Sequence, residues 1–274
     1  MTINCKGHLI DLKTPKVMGI LNVTPDSFFD GGKFKDATNA LNQVEKMLVQ
    51  GASFIDIGAY SSRPGAAEVS EELELKRITP IVELILKHFP EALVSIDTFR
   101  GKVAKECIGL GAGLINDISA GLRDDTLLEI VANLGVPYIM MHMRGTPQTM
   151  QKLTDYNHLL MDIIHFFSDR LAQAKAIGIH DVIIDPGFGF AKNLEQNFEL
   201  LNQLEALHIL NLPILVGISR KSMIYKLLET DAKNALNGTT ALHMVALTKG
   251  ANILRAHDVK EAVECVKLHE QLVG

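Results

Sequence analysis

Residues 17–28 read VMGILNVTPDSF, an apolar run that stops at Asn22 and continues into a turn containing Pro25 and Asp26. The run has the length and composition of a strand that is buried on both faces. An open doubly wound sheet tends to carry a glycine-rich dinucleotide fingerprint after its first strand. NVTPDSF occupies that place in this chain, so the stretch favours a different parallel fold.

Seven further apolar runs follow, and each also stops on a polar or charged residue. The eight runs end at Asn22, Asp56, Asp97, Asn116, His142, Asp185, Ser219 and Arg255. The predicted strands cover residues 17–22, 54–58, 93–97, 114–117, 137–141, 182–185, 214–216 and 252–255, and predicted helices cover residues 36–50, 71–88, 195–207, 237–249 and 259–272. This alternation favours a parallel sheet with right-handed crossovers. Eight strand–helix units predict an α/β fold, a TIM (β/α)8 barrel, as a single domain over residues 1–274.

The segments outside the barrel units carry predictions of their own. Residues 1–16 are expected to form a hairpin-like extension, with residues 3–10 as a hairpin that covers the barrel bottom. The connections after strands 1 and 2, residues 22–35 and 58–70, are longer than a barrel needs. Long loops on the catalytic face usually close over substrate, so we expect both to be mobile loops of the site. Residues 143–156 are a candidate third loop.

Composition excludes several classes of protein. The 274 residues are 47% hydrophobic and 22% charged, with a net charge of -5 and no Lys/Arg cluster, which argues against nucleic acid as a partner. Cys5, Cys107 and Cys265 are far apart and outside any CxxC pattern, as suits a reduced compartment. The sequence shows no signal peptide and no apolar run of membrane-spanning length, so we expect a cytoplasmic protein.

Three strand ends offer groups for a planar, polar ligand. Asp97 ends a strand in SIDTFR, Asn116 in LINDIS and Asp185 in IIDPGFGF, whose glycines would let a flat ligand approach the backbone. Two carboxylates and an amide suit a heterocycle that carries adjacent N–H donors. Each residue alone is better explained as a helix cap. All three on one face of one barrel favour ligand binding.

Two later segments predict an anion site. GISRKSM, residues 217–223, combines a turn, a helix start and Lys221, although a solvated pair of Arg220 and Lys221 explains it equally well. ILRAHDVKE places Arg255 and His257 just beyond the last strand, where barrels often bind phosphate. Arg63, in SSRPG, could reach the same anion.

Asn22 is a candidate ligand of a hard cation such as Mg²⁺ because its amide oxygen lies at a strand end. Taken alone, turn hydrogen bonds of Asn22 and Asp26 are the better explanation.

Together these segments resemble the dihydropteroate synthase family of pterin-binding barrels. The matching motifs, in the family's order, are NVTPDSF, SSRPGA, SIDTFR, NDIS, MHMRGTPQTMQ, DPGFGF, GISRKS and RAHDVKE. Each motif alone is unspecific, but the set covers nearly the whole chain and is highly specific.

The resemblance implies a transferase of folate biosynthesis. It would condense 6-hydroxymethyl-7,8-dihydropterin pyrophosphate with p-aminobenzoate, giving 7,8-dihydropteroate and pyrophosphate. The residues implied to bind the pterin pyrophosphate are Ser62, Asp97, Asn116, Asp185, Lys221, Arg255 and His257, of which Asp97, Lys221, Arg255 and His257 are implied to be catalytic. Those implied for the p-aminobenzoate pocket are Phe28, Arg63, Pro64, Phe190 and Ser222, with Asn22 as the Mg²⁺ ligand. The family also implies sulfonamide binding and a homodimer through the later barrel helices, with no membrane partner.

Three positions depart from the family pattern: Phe29 replaces a common Ser, Tyr60 a frequent Glu and Ser62 a common Thr. They lie in or beside the two long loops, and they leave two alternatives open. One is a catalytically silent pterin-binding paralogue, against which the intact Asn22 and Arg255 weigh. The other is a methyltetrahydrofolate-dependent methyltransferase of the same superfamily, which should not need SSRPG, GISRKS or RAH.

Overall fold

Eight parallel strands form a barrel with helices outside it, and a short hairpin precedes the first barrel strand. The computed structural model describes residues 1–23, 33–60 and 68–273. The barrel strands are β3 (Lys16–Asn22), β4 (Phe54–Gly58), β5 (Val94–Asp97), β6 (Leu114–Asp117), β7 (Tyr138–Met141), β8 (Val182–Asp185), β9 (Leu215–Val216) and β10 (Ile253–Ala256). All eight predicted strands are confirmed, and only their end residues shift.

The strands follow one another around the barrel in the order β8-β7-β6-β5-β4-β3-β10-β9. The first and last strands of this order, β8 and β9, meet at a parallel bridge between Ile184 and Ile214, next to the start of β9. The Ile184 N–H donates to the Pro213 carbonyl at 3.0 Å. The predicted single-domain TIM barrel is therefore confirmed, with its closure resting on the short contact between β8 and β9.

The outer helices in the described part of the chain are α1 (Lys33–Val49), α2 (Glu71–His88), α3 (Gly101–Gly109), α4 (Leu127–Leu134), α5 (Leu159–Ala176), α6 (Leu194–Asn202), α7 (Ser222–Leu227), α8 (Leu236–Thr248) and α9 (Val259–Val273). Local sequence explains the start of α2, because the Ser70 hydroxyl accepts a hydrogen bond from the Leu73 N–H and the first turn is acidic. Its buried side chains include Ile78, Val82 and Ile85, which pack on the barrel.

The prediction of one continuous helix over residues 195–207 is wrong. Helix α6 ends at Asn202, and a 3-10 helix follows at Leu204–Leu210. A 3-10 helix has three residues per turn, so residues three apart lie on the same side. Leu204 and Leu207 are both fully buried, so the 3-10 helix continues the apolar face of α6 towards the core.

The hairpin predicted for residues 3–10 is confirmed as β1 (Thr2–Cys5) paired antiparallel with β2 (His8–Asp11). Ile3 and Leu12 pack into an apolar layer that closes one end of the barrel. The other members of this layer, which we call the barrel floor, are Met18, Phe54, Leu114, Ile139, Ile183, Leu215 and Ile253. Residues 24–32 and 61–67 of the two long loops lie outside the described residues, so the expected loop mobility stays a prediction.

Candidate active site

A layer of polar side chains lies directly above the barrel floor. Side chains alternate in direction along a strand, so the residue two positions beyond a floor residue also points into the barrel. At that spacing Phe54, Leu114, Ile183 and Ile253 are followed by Asp56, Asn116, Asp185 and Arg255. Strand register brings further groups together, because Asn22 pairs with Gly58, Gly58 with Asp97, and Asp97 with Asn116.

Asp56 is the centre of this layer, and the motif analysis assigns no role to it. Its side chain is fully buried. Oδ1 accepts from the Ser95 hydroxyl at 2.6 Å, and Oδ2 accepts from Asn116 Nδ2 at 3.0 Å and from Arg255 Nε at 2.6 Å. An ionised carboxylate only accepts hydrogen bonds, so it must face the amide nitrogen of Asn116. The Asn116 oxygen is thereby turned away from Asp56 and is available to a ligand as an acceptor.

Arg255 links Asp56 to the predicted site residue Asp97, whose Oδ2 accepts from the guanidinium at 2.8 Å. Burial raises the pKa of Asp97 to about 7, while the Arg255 charge opposes this shift and the Asp56 carboxylate adds to it. Burial alone would lower the pKa of Arg255, but the two carboxylates hold it above its usual range. Two acidic groups therefore share one guanidinium in a water-poor layer.

Asp185 reaches the same centre from the opposite side. A Cβ placed on Gly217 would lie 3.9 Å from Asp185 Oδ2 and 3.9 Å from Arg255 Cβ, so the two side chains approach each other across this glycine. Asp185 Oδ1 accepts from the Gly187 N–H at 2.8 Å. Burial raises the pKa of Asp185, and the charge of Lys221 is the main opposing cause.

The GISRKS turn separates its two basic residues. Arg220 is paired with Asp258 through two hydrogen bonds of 2.8 and 2.9 Å, so it braces the turn. Lys221 instead donates to the Phe188 carbonyl, and its Nζ lies 4.7 Å from the centre of the Phe190 ring. Burial lowers the pKa of Lys221 to about 8, opposed by Asp185. The solvated pair allowed by the sequence is therefore wrong, since Arg220 is bound to Asp258 and Lys221 to the Phe188 carbonyl. Ser222 follows as the first residue of α7.

His257 is held by Ser219, another run end to which the motifs assign no role. The Ser219 hydroxyl accepts from the His257 backbone N–H at 3.1 Å and lies 3.1 Å from Nδ1 of the ring. A hydroxyl that already accepts a hydrogen bond is well placed to donate its own proton. The two contacts fix the orientation of the His257 ring relative to the end of β10.

The loop between β8 and α6 contains a buried lysine that the motifs do not single out. Lys192 Nζ lies 3.0 Å from His142 Nδ1. Gly187 is needed for the close approach of the chain itself, because a Cβ there would lie 2.1 Å from the His142 carbonyl oxygen and its φ is +72°. A glycine is therefore required at position 187 by the nearby His142 carbonyl, whereas the sequence analysis expected the approach of a flat ligand to require it. His142 is 2% exposed.

Some predicted residues lie outside the described part of the chain: Phe28, Ser62, Arg63 and Pro64. Tyr60, just before that gap, is buried and contacts Phe99 edge-on with ring centres 5.1 Å apart. Asn22 is half-buried at the end of β3. Within residues 1–23, 33–60 and 68–273 there is no group of three or more His, Cys, Asp or Glu side chains that could hold a metal ion.

The fold and the polar layer define a barrel of the enzyme type, with charged and amide side chains at the carboxyl ends of its strands. The family profile described as "Pterin binding enzyme" matches residues 18–257. The dihydropteroate synthase of Escherichia coli K12 is 44% identical over 272 residues, covering 98% of this chain and 96% of that protein.

Solved structures give the same result. The Yersinia pestis dihydropteroate synthase with a sulfonamide drug complex has a TM-score of 0.94 and 44% identity, covering 100% of this chain and 99% of that one. The Xanthomonas albilineans dihydropteroate synthase with 4-aminobenzoic acid has a TM-score of 0.92 and 36% identity, covering 100% and 98%. The chain therefore belongs to the dihydropteroate synthase family of pterin-binding enzymes.

Proposed function

We propose that this chain is a transferase that condenses 6-hydroxymethyl-7,8-dihydropterin pyrophosphate with p-aminobenzoate to form 7,8-dihydropteroate and pyrophosphate, in folate biosynthesis. The observation that carries the proposal is the buried polar layer above the barrel floor, in which Asp56, Asp97 and Arg255 form one ion-paired cluster. Family membership over nearly the whole chain supports the same reaction.

The pterin ring is proposed to lie on this layer. Asn116 would accept a ring N–H through its oxygen, since its nitrogen is engaged by Asp56. Asp185 and Asp97 would accept further N–H donors, and Lys221 would donate to the ring. A ligand with several adjacent donors on one edge would add hydrogen bonds to these side chains, each of which already has one partner in the polar layer.

The chemistry follows from the charges of the layer. The bond that breaks joins the pterin methylene carbon to the pyrophosphate oxygen. The new bond joins that carbon to the amine nitrogen of p-aminobenzoate, which then loses a proton. Positive charge develops on the pterin as the anion leaves, and Asp97 and Asp185 would stabilise it. Arg255, His257 and Ser62 would stabilise the pyrophosphate. The neutral amine needs only to be positioned, so no activated serine or cysteine is required.

Mg²⁺ is part of the proposal. Asn22 offers a single amide oxygen, and a magnesium ion commonly keeps several waters and takes its other ligands from substrate phosphates. One half-buried protein oxygen therefore fits an ion that arrives with the pyrophosphate. When bound, Mg²⁺ would neutralise charge on the leaving group.

The p-aminobenzoate pocket is proposed to form between Phe190 and Ser222, with Phe28, Arg63 and Pro64 contributed by the two long loops. Phe190 is buried and packs beneath Lys221. Relatives have been solved with 4-aminobenzoic acid and with a sulfonamide drug, which supports binding of both ligand types by this chain.

The proposal is tested by a pyrophosphate-release assay in which dihydropterin pyrophosphate, Mg²⁺ and p-aminobenzoate are omitted in turn. Release that requires all three supports the synthase reaction. Pterin binding without turnover would favour the silent paralogue. Methyl transfer from methyltetrahydrofolate would favour the methyltransferase.

We also propose a homodimer through the later barrel helices. Helix α8 carries no Asp, Glu, Lys or Arg, and Leu227, Val245 and Leu268 on α7, α8 and α9 are exposed. Such apolar exposure is typical of an interface. Sedimentation velocity should give about twice the 30.1 kDa mass of the chain, and a concentration-independent monomer would contradict the dimer.

A cytosolic location is proposed because the three cysteines are free and buried. None of the helices in the described ranges has the length and apolarity needed to cross a membrane.

A further inference from the structure

Lys192 is a buried lysine to which the reaction proposed above assigns no task. Burial lowers the pKa of Lys192 to about 7, and the Asp185 charge opposes this shift. The residue is 3% exposed, and its Nζ lies 3.0 Å from each of three acceptors: His142 Nδ1, the Gly187 carbonyl and the Phe190 carbonyl. In its protonated form the ammonium group has three protons, and this site offers one acceptor for each of them. Two of the acceptors, the Gly187 and Phe190 carbonyls, belong to the loop that follows Asp185.

The same loop is held by other side chains at the positions between these contacts. Lys221 donates to the Phe188 carbonyl, and the Tyr156 hydroxyl donates to the Ala191 carbonyl at 2.9 Å. The Gly189 N–H donates to Asn197 Oδ1 at 2.6 Å. A loop whose polar groups are bound by side chains keeps one conformation, and Phe190 is the large apolar residue that it presents beside Lys221.

When Lys192 is protonated, His142 accepts from its ammonium group through a lone pair at Nδ1. The ring lies in an aromatic cluster, 4.9 Å from Phe166 and 6.1 Å from Tyr156 between ring centres. Burial and the nearby Lys192 and Arg144 charges keep the pKa of His142 well below its usual value, so the ring is neutral. His142 thus acts as a fixed acceptor for Lys192.

We propose that Lys192 is a positioning residue for the p-aminobenzoate pocket, where its hydrogen bonds to His142, Gly187 and Phe190 fix the loop that presents the Phe190 ring. This inference rests on the proposed function, in which Phe190 contacts the second substrate. Asp185 at the start of the loop is held in place by β8 and by the Gly187 N–H, and the Lys192 charge lowers its pKa less than Lys221, Gly187 and Arg255 do. Lys192 therefore affects the second substrate more than the pterin.

The test is Lys192→Met, which keeps the side-chain length and removes the donors, with the exposed Lys175→Met as its control. The expected result is a rise of about tenfold in KM for p-aminobenzoate at saturating pterin pyrophosphate, from the loss of hydrogen bonds of a charged group. The Kd for pterin pyrophosphate, measured by calorimetry, should stay close to that of the wild type. If Lys192 had only a structural role, Lys192→Met would lower the melting temperature without raising KM for p-aminobenzoate more than the Kd for pterin pyrophosphate.

A second pair of variants keeps the inference testable if Lys192→Met does not fold. His142→Asn retains an acceptor near Nδ1, whereas His142→Leu removes it, and both lose the same ring contacts. We expect His142→Leu to raise KM for p-aminobenzoate several-fold above His142→Asn.

Unchanged KM in Lys192→Met and in His142→Leu, or an equal loss of pterin pyrophosphate affinity, would overturn the positioning role. Absence of dihydropteroate formation by the wild type would instead refute the proposed function and, with it, this role.

Discussion

Replacing Asp56 with asparagine removes the charge at the centre of the polar layer and keeps its shape. Oδ2 of Asp56 accepts from both Arg255 and Asn116, so the oxygen of the new amide must take that place. Its NH2 group then faces the Ser95 hydroxyl, which can accept as well as donate. All three hydrogen bonds can persist, and the main loss is the negative charge.

The expected cost follows from the partners of Arg255. The guanidinium would keep Asp97 as its carboxylate partner and lose Asp56. Losing a partner from a buried ion pair costs about 3–5 kcal/mol. Because one carboxylate and the hydrogen bond remain, we expect roughly half of this cost, a decrease of about 2 kcal/mol in the free energy of unfolding. A similar loss in the transition state lowers kcat/KM for pterin pyrophosphate about 30-fold.

The assay is steady-state pyrophosphate release with pterin pyrophosphate varied, combined with urea unfolding of each variant. Ser95→Ala is the matched control, because it removes the neutral hydrogen bond to Asp56 and leaves the charge. It should cost about 1 kcal/mol in stability and little in kcat/KM. The reasoning is refuted if Asp56→Asn reduces kcat/KM no more than Ser95→Ala does.

Three further predictions concern the backbone, the anion site and pH. Gly187→Ala should destabilise the protein by about 1–3 kcal/mol more than Gly178→Ala. Both glycines have positive φ, but only at Gly187 would a Cβ meet a carbonyl oxygen, at 2.1 Å. Equal urea midpoints for the two variants would contradict the expected difference in stability. Ser219→Ala should raise KM for pterin pyrophosphate about fivefold, because the His257 ring loses the hydroxyl next to Nδ1. Calorimetry with a pterin that lacks pyrophosphate should show no change. With a pKa of about 7, Asp97 gains a proton as pH falls through 7, so affinity for that pterin should decrease below pH 7. The Asp97→Asn variant should bind this pterin weakly, with an affinity that does not change around pH 7. If its pH profile parallels that of the wild type, Asp97 is not the group that titrates.

The positions of the site residues on the fold could be predicted because strand ends interrupt apolar runs. Asp97, Asn116 and Asp185 each end a buried run, and the structure places all three at the same end of the barrel. The alternation of side-chain direction along a strand also predicts that Asp56, two residues after the floor residue Phe54, points into the barrel. The quoted motifs do not include Asp56.

Other features depend on contacts between distant residues. Lys192 and His142 are 50 residues apart in the chain, and a lysine in AKNLEQN does not signal burial. The helix break after Asn202 has no signal in the sequence, because the apolar helical periodicity continues through Leu204 and Leu207. Arg220 and Lys221 are adjacent and chemically alike, so only the Asp258 partner distinguishes the bracing residue from the site residue.

The most direct test of the central claim is the stoichiometry of a complete reaction with labelled p-aminobenzoate. We expect one molecule of labelled 7,8-dihydropteroate for each pyrophosphate released, and no release without p-aminobenzoate. Pterin binding with no labelled product, or pyrophosphate release uncoupled from product, would contradict it.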